Sequence, residues 1–169
     1  KNFTGKGKSL AGFKDQVYAL VDFLQSTADP LAWLEESFLK GYQDLDYDEA
    51  LHQLAQEVKE LWSLGIKSVL LFVKVPDHLK DNEGTEAINP DGLMQRAIKT
   101  VKEATPDMLV MTDVALDPYS IYGHDGIIKN GVVENDTTVS ILAQMSLSHV
   151  KAGADWVAPS DMMDGRIEE

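Results

Sequence analysis

Asp113, Asp117, His124 and Asp125 crowd into one stretch of this chain, Met111–Gly126, which reads MTDVALDPYSIYGHDG. The stretch packs three aspartates, two glycines, a proline and a histidine. The stretch follows a short apolar run, Met108–Met111. An apolar strand that opens abruptly into aspartates, glycines and a proline is how α/β proteins present chemistry at strand ends. Asp113 sits at that end, where a carboxylate with no ligand would bond nearby backbone amides. A second cluster, Ala158–Arg166 (APSDMMDGR), follows another apolar run. Ser160-Asp161 after a strand reads, on the residues alone, as a helix cap. Asp164 and Arg166 are expected to pair locally, and His124 to shape its loop. His52, His78 and His149 have no second histidine at metal spacing and read as structural or solvated. Gly7-Lys8-Ser9 has the tail of a phosphate-binding loop, but Asn2 stands where the first glycine belongs.

The formal charge of −13, with 28 acidic against 15 basic residues, describes a surface that repels nucleic acid and anionic membranes. Most of that acidic excess lies beyond residue 46. With no cysteine, the chain has no disulfide, thiol nucleophile or thiolate zinc site, and a cytoplasmic location is expected. No apolar stretch has the length to span a bilayer, and no secretory signal is expected at the start. The chain opens on Lys1 rather than methionine, so it is expected to begin inside a longer parent.

The elements that must carry these residues follow a regular rhythm. Asp48–Leu64 reads as a helix closed by Gly65, and Ser68–Val75 as a strand buried on both faces. A helix starts near Pro90 and ends at Thr105-Pro106, and a strand spans Met108–Leu116. Asn130-Gly131 has the composition of a tight turn. Asp136 or Thr137 caps a helix running to Ala152, with Val139, Leu142, Ala143, Met145, Ser146 and Val150 facing inward. Gly153 stops it, and Ala154–Pro159 is the third strand. Such alternation indicates parallel βα units. The front differs: Gly12–Gln25 and Pro30–Lys40 read as two amphipathic helices, with Asp29 capping the second. Trp33, Trp62 and Trp156 read as packing residues.

TDVALDPYSIYGHDG, Asn135-Asp136 and VAPSDMMDGR closely resemble the porphobilinogen synthases, or 5-aminolevulinate dehydratases, over residues 47–169. The resemblance implies an α/β fold, a (β/α)8 barrel present here in part: three parallel strands with helices, preceded by a helical segment. It implies a hydro-lyase of tetrapyrrole and heme biosynthesis that condenses two 5-aminolevulinate molecules to porphobilinogen, with both substrates held on lysines as Schiff bases. Asp113 matches an aspartate near the substrate amine, and Ser160 and Asp161 match positions lining the substrate pocket. Ala115, Asp117 and Asp125 stand where zinc-dependent members carry three cysteines, so magnesium is expected and zinc is not. The two lysine motifs, of the forms K-[YF]-A-S and M-V-K-P-G, do not occur in these residues. Lys74, Lys80, Lys99, Lys102, Lys129 and Lys151 match no catalytic position and read as solvated, so the isolated chain is expected to be inactive.

Residues 1–46 show neither the family's first strand nor its N-terminal arm, so a helical segment of foreign or divergent origin with a junction near residue 46 is expected, and a small homo-oligomer in place of the family's octamer. Val17, Leu20, Val21, Leu24, Leu31, Leu34 and Phe38 are expected to cover the sheet. The segment VYALVDFLQSTADPLAWLEESFL is similar to a helical piece of AddA-type helicase–nuclease subunits. Two alternatives stand beside the dehydratase: a chimeric or engineered non-catalytic scaffold, and a fragment of a DNA helicase–nuclease. The acidic charge and missing helicase motifs count against the second.

Overall fold

The computed structural model describes residues 46–124, 126–161 and 163–167. The front helices and the apolar residues expected to cover the sheet lie outside these, as does Trp33. Helix α1 (Tyr47–Ser63) opens on Asp46, whose carboxylate accepts the Asp48 N–H at 3.2 Å. Asp48 and Glu49 in the first turn complement the helix dipole. Gly65, at φ +93°, closes the helix as the sequence indicates, donating to the Trp62 carbonyl at 3.0 Å. Trp62 is half-buried and receives the Lys67 ammonium 3.3 Å from its ring centroid.

Strands β1 (Ser68–Leu71) and β2 (Leu109–Val114) run parallel, joined through helix α2 (Leu93–Ala104). A short hairpin follows, β3 (Ile128–Lys129) and β4 (Val132–Val133). Asn130 and Gly131 make its turn with φ of 55° and 79°, the left-handed pair that a two-residue hairpin needs. Helix α3 (Asn135–Ala152) leads to β5 (Trp156–Pro159), which pairs parallel with the other side of β2. The sheet order is β1-β2-β5, a partial (β/α)8 barrel in which each strand follows a helix.

The core lies between sheet and helices. Val58 from α1, Met94, Ile98 and Val101 from α2, and Val110 from β2 form one buried cluster. Val114, Leu116, Tyr119, Leu142 and Met145 form a second towards the strands' C-terminal ends. Asp155 locks the opposite end: its carboxylate accepts the Val110 N–H at 2.8 Å and the Lys102 ammonium at 2.5 Å. The Lys102 hydrogen bond, aided by that of Val110, holds the Asp155 carboxyl below the usual range.

Several element boundaries depart from the pattern reading. The first strand stops at Leu71, where its register with β2 ends, and is not buried on both faces. Leu70 points to the sheet face away from the helices and is exposed, as is Phe72. Helix α2 starts later than Pro90 because the Asn89 carboxamide accepts the Asp91 N–H at 3.0 Å, setting a turn that Pro90 occupies. Neither Asp136 nor Thr137 caps α3. The helix opens earlier, because the Thr138 N–H and hydroxyl both donate to the Glu134 carbonyl, at 3.2 and 2.7 Å.

The inward stripe of α3 also differs from expectation. It runs Thr138, Leu142, Met145, His149, while Val150 is exposed. Trp156 is 61% exposed rather than packed, because it points to the sheet face opposite the helices. Not all of these lysines are solvated: the side chains of Lys80, beside Asp77 at 2.8 Å, and Lys102, beside Asp155 at 2.5 Å, are largely buried.

Candidate functional site

Pairing in register sets Asp113 beside Ala158, so β2 and β5 end next to each other. The segments after them carry both motifs. Along β2, Val110, Thr112 and Val114 are buried towards the helices, so Asp113 points to the open face. Its carboxylate is half-buried and has no hydrogen-bond partner among the described residues. Ser160 is exposed just beyond β5.

The long segment after β2 is held by neighbouring loops. Asp81 donates its N–H to the Tyr119 carbonyl at 3.2 Å and accepts the Ile121 N–H at 3.2 Å. Burial opposes charge on the Asp81 carboxyl, but hydrogen bonds from Thr85, Gly84 and Glu83 outweigh it and lower its pKa. The Asn82 carboxamide bonds both backbone groups of Ile128, at 2.9 and 3.1 Å, as a strand would. Thr138 accepts the Ile127 N–H at 3.0 Å. Gly126 lies so close that a Cβ there would stand 2.6 Å from Val133 Cγ1. His124 is exposed in this loop.

Tyr119 escaped the sequence reading. Burial, reinforced by the negative charges of Glu86, Asp113 and Asp117, raises its pKa and keeps the phenol protonated. Its hydroxyl is buried without a hydrogen-bond partner among the described residues. The signal available was its place between Pro118 and Ser120, in a motif where the aspartates draw the eye.

The segment after β5 corrects a second expectation. Arg166 pairs with Asp161, not Asp164, and both side chains are buried. Gly165 at φ +80° turns the backbone so that Arg166 folds back. Arg166 Nε also donates to Asn135 Oδ1 at 3.1 Å, while Asn135 Nδ2 donates to the Asp164 carbonyl at 2.9 Å. Asp161 further accepts the Met163 N–H at 3.1 Å. Asp161 thus supports its loop, and Asn135 anchors that loop to the start of α3.

Two of the three positions that the resemblance assigns to metal lie among the described residues. Ala115 is buried and offers no donor, Asp117 is exposed, and the chain has no cysteine. Asp125 lies outside the described residues, among which no three His, Cys, Asp or Glu side chains gather to hold an ion.

A family model described as delta-aminolevulinic acid dehydratase matches residues 40–169. The chain is 54% identical over 117 residues to the chloroplastic delta-aminolevulinic acid dehydratase of Selaginella martensii, covering 69% of this chain and 28% of that protein. The chloroplastic enzyme of Hordeum vulgare is 52% identical over 139 residues, 82% of this chain and 31% of that protein. The crystal structure of delta-aminolevulinic acid dehydratase (porphobilinogen synthase) from Toxoplasma gondii ME49, in complex with the reaction product porphobilinogen, is similar with a TM-score of 0.67. It is 52% identical, with 69% of this chain and 34% of that one covered. The chain thus spans about a third or less of each of these proteins. The plant relatives are chloroplastic by name, which overturns the cytoplasmic expectation: missing cysteines report redox conditions, not an address.

Proposed function

Because the chain belongs to the delta-aminolevulinic acid dehydratase family, we propose that it is part of an enzyme condensing two 5-aminolevulinate molecules to porphobilinogen with loss of two waters. The observation that carries this reading is the meeting of both motif segments at the ends of adjacent strands, with Asp113 and Ala158 in register. Asp113 orients the substrate amine and accepts its proton, as a carboxylate without a competing partner can. Ser160 donates its hydroxyl to a substrate carboxylate or carbinolamine oxygen. Asp161 shapes the pocket wall through Arg166, and Tyr119 stays protonated as a donor near the two aspartates.

Asp117 and Asp125 are the residues that would hold magnesium, which would supply positive charge beside the strand ends. Schiff-base formation needs lysines that these 169 residues do not carry in the family's motifs. A polypeptide of these residues alone should make no porphobilinogen, and borohydride reduction with 5-aminolevulinate should trap no adduct. Reassembly with a barrel portion carrying the lysine motifs should restore product, and D113N should then lower turnover about a hundredfold. A stoichiometric lysine adduct on the isolated chain, or unchanged turnover in D113N, overturns the reading.

A front segment of separate origin remains part of the proposal, as does a small homo-oligomer. The family match opening at residue 40, and a barley match too long for residues 47–169, support placing the change of origin nearer the start.

A further inference from the structure

On the outer side of the helix layer, away from the face bearing Asp113, α2 and α3 diverge around a groove of about 430 Å³. That volume lies in the range of small-molecule sites. Its walls include Ile88 and Leu147, and its polar lining is Gln95, Ser148, Lys99 and Lys151, together with Gln144. No carboxylate lines it, in a chain where acidic residues outnumber basic ones by 28 to 15.

The floor of this groove is fixed. Gln95 is 1% exposed and spends its amide hydrogens on the Ala87 carbonyl at 2.9 Å and on Ser148 Oγ at 2.8 Å. That bond leaves the Ser148 hydroxyl hydrogen without an acceptor among the described residues. Lys99 donates to the Pro90 carbonyl at 3.2 Å, leaving two of its three N–H groups, and neither it nor Lys151 forms an ion pair among the described residues. Uncommitted donors therefore converge on a space with apolar walls.

We propose that this α2–α3 groove binds a small organic carboxylate, its anionic group held by Lys99, Lys151 and Ser148 and its carbon chain against Ile88 and Leu147. The apolar walls favour a carbon-bearing anion over a bare one. Ammonium groups supply the charge without the planar fork that would select a bidentate geometry.

Amide chemical shifts of the 169-residue chain, titrated with hexanoate, hexanol and inorganic phosphate, test this. Hexanoate should give saturable shifts at Gln95, Ser148 and Lys151, about tenfold tighter than either other probe. The double substitution K99Q/K151Q should weaken hexanoate about tenfold while leaving the remaining spectrum unchanged, which shows that the fold is intact. Equal affinity for hexanol would reduce the groove to an apolar surface, and equal affinity for phosphate would remove the role of the walls. Either result overturns the proposal, as do shifts confined to the open sheet face. If K99Q/K151Q fails to fold, K151Q alone, at an exposed position, must still weaken hexanoate severalfold.

Discussion

Acidification should destabilise this protein through one buried imidazole, His149. Its side chain is fully buried, with Nδ1 3.0 Å from Thr112 Oγ1 and Nε2 without a partner among the described residues. Burial alone lowers its pKa from 6.5 to about 4, and no charged side chain contributes. The unfolded chain therefore binds the proton more readily, so stability rises with pH across this interval. The full contribution is present above pH 6.5, declines as pH falls, and is gone below about pH 4. At about 1.4 kcal/mol per pH unit, the loss reaches about 3 kcal/mol in total and about 2 kcal/mol at pH 5. Urea unfolding at a series of pH values from 7.5 to 4, on wild type and H149N, measures it. Asn keeps a donor for Thr112 and does not titrate, so the difference in stability between the two proteins should shrink steadily on acidification. Parallel pH dependences would refute the reasoning, since carboxylates common to both cannot supply that difference.

Replacing Gly126 with alanine should cost about 1–3 kcal/mol, because Val133 would have to yield, and thermal unfolding reads it. R166M should cost about 3–5 kcal/mol by leaving Asp161 buried and unpaired, and D161N/R166M should recover much of that in the same denaturation assay. Competition with a chelating dye should find no sub-micromolar zinc site, and magnesium should bind only in the millimolar range. Asp155, Asp77 and Glu134 are all lowered first by hydrogen bonds from lysine. Their support should persist above the ordinary carboxylate range and fade as pH falls below it, a window separate from that of His149.

The strands and helices around Asp113 could be read from the sequence because apolar runs and glycine stops are local signals. Ser68–Val75 failed as a doubly buried strand because such burial needs a layer on both faces, and among the described residues the face bearing Leu70 is open. Arg166 could be matched to Asp161 or Asp164 by spacing alone. Only the reversal at Gly165 selects the former. Thr138 and His149 entered the α3 stripe in place of Val150 because a threonine–imidazole hydrogen bond makes polar groups tolerable inside. Hydropathy has no way to register that pairing. The positions of Asp113 and Ser160 at neighbouring strand ends were legible, whereas the burial of Asp161 was not.

Leu70, Met111 and Trp156 fall in one row across the sheet, on the face away from the helices. That row makes Trp156 an intrinsic optical gauge. Its indole is largely in water here, whereas Trp62 is half-shielded and sits under a lysine ammonium. Any polypeptide that docks against the row to close the barrel must dehydrate Trp156, moving its emission to shorter wavelength and protecting it from acrylamide. Completion of the barrel can thus be timed by mixing, without a label and before any product is made.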